Sequence, residues 1–261
     1  GHTEAAVTLS MLTGHQLVGV IAELVNDDGS MMRGDELKAF STTHKIPIVS
    51  ISDLVNIPLP KSINSEPNAL PFEWSELPLP NGDWKITSSH GALGNIHAIL
   101  TYGEISKQKL KVRIHSECLT GDVFGSKRCD CGPQLQEAIR LIEESGHGYV
   151  IYLRDHEGRG IGLAEKIRAY ALQDSGQDTV EANISIGQPV DDRTYEDAAE
   201  ILHRLKVKSL TLLTNNPEKI AAIKKTKISL TIAPLEVIAN KHNKKYLETK
   251  RDKLNHALGA L

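Results

Sequence analysis

Three cysteines in 261 residues are too few, and odd in number, for a self-contained disulfide framework, and all three fall between positions 118 and 131. A stapled secreted scaffold is thereby excluded, and metal binding becomes the leading explanation. Aromatic residues are scarce, at 4%, and the net charge is only −3. The basic stripe and stacking surface of a nucleic-acid binder are therefore missing, although a local cationic pocket for a phosphorylated small molecule is not excluded. No apolar run is long enough to cross a bilayer. The opening Gly1-His2-Thr3-Glu4-Ala5-Ala6 has no basic n-region, no apolar h-region and no initiator Met, so the chain is expected to be a cytoplasmic one cut from a longer protein.

What remains is a soluble composition, 40% apolar and 24% charged, with enough length for a real core and for two domains. Residues 1–57 read as helix, strand, helix, strand: Ala5 to Leu12, Val18 to Leu24, Asp35 to Ser41 and Ile46 to Ser50. From 58 to 81 the chain turns rich in Pro, Ser, Asn and Glu and reads as a linker. A second domain is expected over 82–261. Alternation marks strands at Trp84–Thr87, His97–Tyr102 and Lys111–His115, and Tyr149–Leu153 and Leu210–Leu213 are buried-strand candidates. Pro133 and Pro217 suit the first turns of helices, further helices are expected over Ile161–Gln173 and Tyr195–Leu205, and the polar tail His242–His256 is expected to be helical. The whole is an α/β (mixed α+β) chain.

Cys118, Cys129 and Cys131 form a C-x10-C-x-C pattern. Three thiolates suit zinc, and three protein ligands without a fourth leave the last position to water, as a catalytic site requires. His115 or His156 would close the site if the fold brings either near; three unliganded thiols are the plainer alternative. Glu157-Gly158-Arg159-Gly160-Ile161-Gly162 reads either as a phosphate-cradling loop at a helix start or as a simple strand-to-helix turn.

The text around the cysteines is Arg113-Ile114-His115-Ser116-Glu117-Cys118 and Lys127-Arg128-Cys129-Asp130-Cys131-Gly132-Pro133-Gln134. It resembles GTP cyclohydrolase II, and the likeness continues through Arg154–Leu163, Lys166–Asp174, Asp178–Asn183 and Leu212–Pro217, over roughly Trp84 to His256. The resemblance implies one zinc ion per chain on the three cysteines and hydrolysis of GTP at C8. The ring opens, formate and pyrophosphate leave, and the diaminopyrimidine product begins riboflavin biosynthesis. It assigns nucleotide contacts to Arg113, Ile114, His115, Ser116, Glu117, Gln134, Glu157, Gly158, Arg159, Thr179, Thr214 and Lys219, with Mg2+ accompanying the triphosphate. It also implies that Tyr170 orients the attacking water, that Asp191 accepts a proton and that Arg193 acts at the α-phosphate. A guanidinium stays protonated at any ordinary pH, so transition-state stabilisation is the easier task for Arg193 than nucleophilic attack. Read without the family, the run at Asp191 is a helix cap and Tyr170 a packed tyrosine.

The sequence departs from the family at Thr194, where an acid is common, and at Ile232, where an Arg is usual; neither is a proposed ligand. The first segment resembles the end of 3,4-dihydroxy-2-butanone 4-phosphate synthase, with His2 matching a Mg2+ ligand and Glu23 a substrate contact. One imidazole and one carboxylate do not make a hard-cation site, so no synthase activity is expected of this chain. The expected protein is a GTP-specific homodimeric hydrolase bound to neither membrane nor nucleic acid, the alternative being a catalytically silent GTP-binding scaffold.

Overall fold

The computed structural model describes residues 1–13, 18–55, 57, 72–92, 94–104, 110–235 and 239–259, and the chain divides into two compact units, Gly1–Ala69 and Leu70–Leu261. In the first unit the helices are α1 (His2–Leu12), α2 (Asp35–His44) and α3 (Ile51–Val55). The strands expected at 18–24 and 46–50 do not form. A strand needs a neighbour to take its N–H and C=O groups, and the only pairing among the described residues here is a single bridge between Val25 and Met31. Val20 is accordingly 99% exposed despite its apolar side chain.

The second unit is a mixed α/β fold around one seven-stranded sheet. Its strands are β1 (Ser75–Leu79), β2 (Gly82–His90), β3 (Ile96–Tyr102), β4 (Leu110–Ser116), β5 (Gly148–Leu153), β6 (Ser209–Leu213) and β7 (Ser229–Ala233). Residues 58–71 of the expected linker lie outside the described residues. Its remainder is not all linker, because Ser75–Leu79 pairs antiparallel with β2 at the sheet edge. There Pro78 faces Asp83, in an edge strand, where a missing N–H is tolerated.

The sheet order is β1-β2-β3-β5-β4-β6-β7. β1, β2 and β3 run antiparallel and β3 pairs antiparallel with β5, whereas β5, β4, β6 and β7 are mutually parallel. The helices are α4 (Leu119–Asp122), α5 (Cys131–Ser145), α6 (Gly162–Asp174), α7 (Thr179–Ser185), α8 (Glu196–Arg204), α9 (Pro217–Lys224) and α10 (Lys244–Leu254). Strand alternation splits the core between two faces. Ile114, Ile151 and Leu212 pack with Ile201, Leu202 and Ile223 of α8 and α9, while Val150 and Leu213 pack with Ala138 and Ile142 of α5 and with Trp84. Covering both faces is what parallel strands require, and it leaves their carboxyl ends as the free rim where ligands gather in such sheets. β4, β5 and β6 reach that rim at Ser116, Leu153 and Leu213, and the three segments leaving them carry the site.

Candidate functional site

The turn after β4 and the start of α5 bring the three cysteines together. Cys118 caps α4, Cys131 opens α5, and the three Sγ atoms lie within 4.8 Å of one another, with Cys118 and Cys129 at 3.7 Å. Gly121 makes room for them: a Cβ there would stand 2.9 Å from the Cys129 Sγ and 3.1 Å from that of Cys118. Hydrogen bonds from the other two thiols pull the Cys118 thiol far below its ordinary range. The same neighbour pushes Cys129 up to about 12 and Cys131 well up, since each would add a negative charge beside the first. Three adjacent sulfurs ionise together only if a cation shares them, so the donor set fits zinc. Among the described residues no histidine or carboxylate joins the trio. His115 Nε2 is instead bonded to Asp122 at 3.0 Å, and His156 Nδ1 lies 3.2 Å from the Ser116 hydroxyl.

Around the thiols α6 supplies two residues one turn apart, Lys166 and Tyr170, on the same helix face. Lys166 Nζ donates to the Cys118 Sγ at 3.2 Å, to Thr120 Oγ1 at 2.9 Å and to Glu157 Oε1 at 2.5 Å. The Tyr170 hydroxyl meets Thr120 Oγ1 at 3.3 Å, and the Arg128 guanidinium lies 4.4 Å from its ring centroid. Tyr170 thus lines the same pocket as the cysteines, with Glu117, Glu157, Gly158, Arg159 and Thr179. Both Glu157 oxygens are already engaged, the second accepting the Leu119 N–H at 2.6 Å.

A second pocket adjoins the first and is cationic. Arg113, Arg159, Arg193, Lys219 and Lys250 line it together with His115, Gln134 and Thr214. Arg193 is forked onto Asp191, with Nε 2.8 Å from Oδ1 and Nη2 bonded to Oδ2, and Lys250 is paired with Asp130. Among the described residues no ion pair neutralises Arg113, Arg159 or Lys219. The Arg113 Nε and the Arg159 Nη1 are buried without a partner. Burial and the neighbouring Arg113, Arg193 and Lys250 charges push the Lys219 ammonium well below its ordinary value. Such a cluster is costly unless an anion enters it. Ser116, Cys131, Arg159, Arg193 and Tyr246 belong to both pockets, so an anion in the second lies next to the thiols of the first.

Burial opposes the ionised form of Asp191, but Arg193 outweighs it and holds the carboxyl below its usual value; Asp191 in turn keeps Arg193 firmly protonated. Two of the residues predicted for the site in this unit line neither pocket: Asp191, which reaches it through its bonds to Arg193, and Ile114. It is fully buried in the core, and only its carbonyl reaches the site, accepting the Lys219 Nζ at 2.8 Å. His2 and Glu23 belong to the first unit, both exposed. The sequence reading missed Lys166, Asp130, Tyr246, Lys250 and His256. The α6 spacing with Tyr170 signals Lys166 and the place between two cysteines signals Asp130, whereas nothing local signals the other three.

A family model described as GTP cyclohydrolase II matches residues 73–233, and one described as 3,4-dihydroxy-2-butanone 4-phosphate synthase matches residues 1–57. A riboflavin biosynthesis protein RibBA of Salinispora tropica is 46% identical over 262 residues, covering 99% of this chain and 64% of its own length. The bifunctional riboflavin biosynthesis protein RIBA 1, chloroplastic, of Arabidopsis thaliana is 45% identical, covering 99% and 48%. A RibBA of Aquifex aeolicus is 44% identical, covering 98% and 63%. The chain therefore spans between about half and two thirds of the length of these relatives. Among the described residues no helix is long and apolar enough to cross a membrane.

Proposed function

The chain belongs to the GTP cyclohydrolase II family, with a segment of the dihydroxybutanone phosphate synthase family ahead of it, and on that premise we propose that it hydrolyses GTP at C8. Formate and pyrophosphate are released, and the product is the diaminopyrimidine that enters riboflavin biosynthesis. The observation that carries this reading is the adjacency of an open three-thiol cluster and a pocket of unneutralised cations. Cys118, Cys129 and Cys131 would hold the zinc, which would supply Lewis-acid chemistry for hydrolysis of the purine ring.

The protein's own groups account for the rest. Arg113, Arg159 and Lys219 receive the triphosphate, with Mg2+ expected alongside, because charge accumulates on phosphate oxygens as the anhydride breaks. Arg193, fully charged, stabilises that charge at the α-phosphate rather than attacking it. Asp191, kept ionised, accepts the proton, and the Tyr170 hydroxyl orients the water. The other residues assigned to nucleotide contact, His115, Ser116, Glu117, Gln134, Glu157, Gly158, Thr179 and Thr214, line one pocket or both. A homodimer in a compartment that keeps thiols reduced suits this chemistry.

The test is to incubate zinc-loaded protein with GTP and follow formate and the ring-opened product by mass. Cys129→Ser is expected to lose both the metal and the product. Intact GTP retained at full metal occupancy would replace this reading with a silent GTP-binding scaffold. Ribulose 5-phosphate is expected to stay unconverted by the same preparation.

A further inference from the structure

The polar C-terminal helix does not lie on the surface as a solvated tail. Lys250, one of the buried residues of α10, donates from Nζ to both carboxylate oxygens of Asp130 at 2.9 Å. Asp130 is 1% exposed and stands between two of the three thiols. It also accepts Gln134 Nε2 at 2.7 Å, and Gln134 accepts the Arg113 Nη2 at 2.6 Å. One chain of hydrogen bonds thus joins the sulfur-bearing turn to the cationic pocket. A buried ion pair contributes little net stability, and its best-attested use is to fix a register.

One turn earlier on the same face, the Tyr246 ring lies 5.2 Å from the Lys250 Nζ and 5.9 Å from the Arg159 guanidinium, and it lines both pockets. The helix is tied down at its two ends. Lys245 Nζ donates to the Gly176 carbonyl at 2.5 Å, and Lys253 pairs with Asp178.

We propose that Lys250 and Tyr246 are positioning residues of the site. Lys250 acts through Asp130, holding the Cys129–Asp130–Cys131 turn in the geometry in which the thiols converge. Tyr246 forms the wall common to both pockets, so that a nucleoside triphosphate spans them with its base toward the thiols and its phosphates among the cations. For its substrate this inference rests on the hydrolase reading above; for the metal arm it does not.

The zinc-loaded 261-residue chain is compared with Lys250→Met, Lys250→Arg, Tyr246→Ala and Tyr246→Phe. Removing a group that orients a metal-bearing turn is expected to speed zinc release to a chelator about tenfold in Lys250→Met. Lys250→Arg, which keeps the charge on Asp130, recovers most of that loss. Tyr246→Ala is expected to raise the KM for GTP about tenfold with kcat much less affected. Inorganic pyrophosphate, which needs only the cationic pocket, should bind that variant as it binds the parent, and Tyr246→Phe should resemble the parent throughout.

A merely structural role would lower the melting temperature and leave chelator resistance and KM within twofold, which overturns the proposal. So does a Lys250→Arg variant as leaky as Lys250→Met, or an equal loss of GTP and pyrophosphate in Tyr246→Ala. If Lys250→Met does not fold, the Arg and Tyr246 variants decide. Zinc retention and pyrophosphate binding are read without turnover. Parent protein that shows both but releases no formate would sink the hydrolase reading alone.

Discussion

Arg159 holds a left-handed backbone, φ 66°, between Gly158 at 60° and Gly160 at 92°. Glycine reaches this region freely, and a residue with a Cβ does not. An arginine kept there has its side chain aimed by the turn, and the guanidinium lies in the wall of both pockets with Nη1 unpartnered. Arg159→Gly separates the two effects. Relief of about 1 kcal/mol of backbone strain should hold or raise the melting temperature, while loss of a buried cation should weaken GTP binding at least about tenfold. Thermal melts paired with KM measurements check this, and a destabilised variant with unchanged KM would show the left-handed turn to be structural only.

At the scale of elements, α7 shows what a cap contributes. Asp178 accepts the Val180 and Glu181 N–H groups at 2.8 and 3.0 Å, and Glu181 returns the bond to the Asp178 N–H at 2.9 Å. This reciprocal cap starts a helix of seven residues, too short to persist without it, and it places Thr179 in the thiol pocket. Asp178→Ala should cost about 1 kcal/mol in urea unfolding and raise the KM for GTP; no change in either would mean that tertiary packing alone holds α7. In the sequence these residues stand out as a motif and not as a helix, because seven residues are too few for a period to emerge. The periodic elements were legible: β2, β3, β4 and β5 from alternation or apolar runs, α5 and α9 from Pro133 and Pro217. β1 was hidden by Pro78 within it and Pro80 just beyond it. The strands drawn over 18–24 and 46–50 had the right residue types but no pairing partner, which local pattern cannot reveal. Likewise the thiols were legible because they stand only 11 and 2 positions apart, whereas Lys250 meets Asp130 across 120 positions, and on a polar helix it looks like any solvated lysine.

For the molecule as a whole, the cationic site makes acid sensitivity a property of the second unit. Burial, helped by the Arg113 and Lys219 charges and opposed by the Asp122 hydrogen bond, pushes His115 down to about 4. Burial with Arg193 and Lys219 takes His156 down to about 3. Burial with Lys250, Arg193 and Arg159 takes His256 down to about 2. Each is neutral when folded and protonates near 6.5 when unfolded, so below that pH the unfolded state binds more protons and stability falls with pH. The window opens near 6.5 and, for His115, closes near 4. It therefore begins above the range in which Asp191, Asp178 and Asp197, whose folded carboxyls are held low, lose their contribution. Each histidine should add about 1.4 kcal/mol per pH unit within its window, on the order of 3 kcal/mol in all for His115. Trp74 and Trp84 both lie in the second unit, so tryptophan fluorescence follows its urea unfolding without interference from the first. Acid also strips metal from thiolates, and that contribution cancels when His115→Gln is compared with the parent under the same conditions. The variant should lose stability less steeply between pH 6.5 and 4.5, by about 1.4 kcal/mol per unit. Parallel slopes would mean that His115 is protonated in the folded protein, held by Asp122 against the surrounding cations.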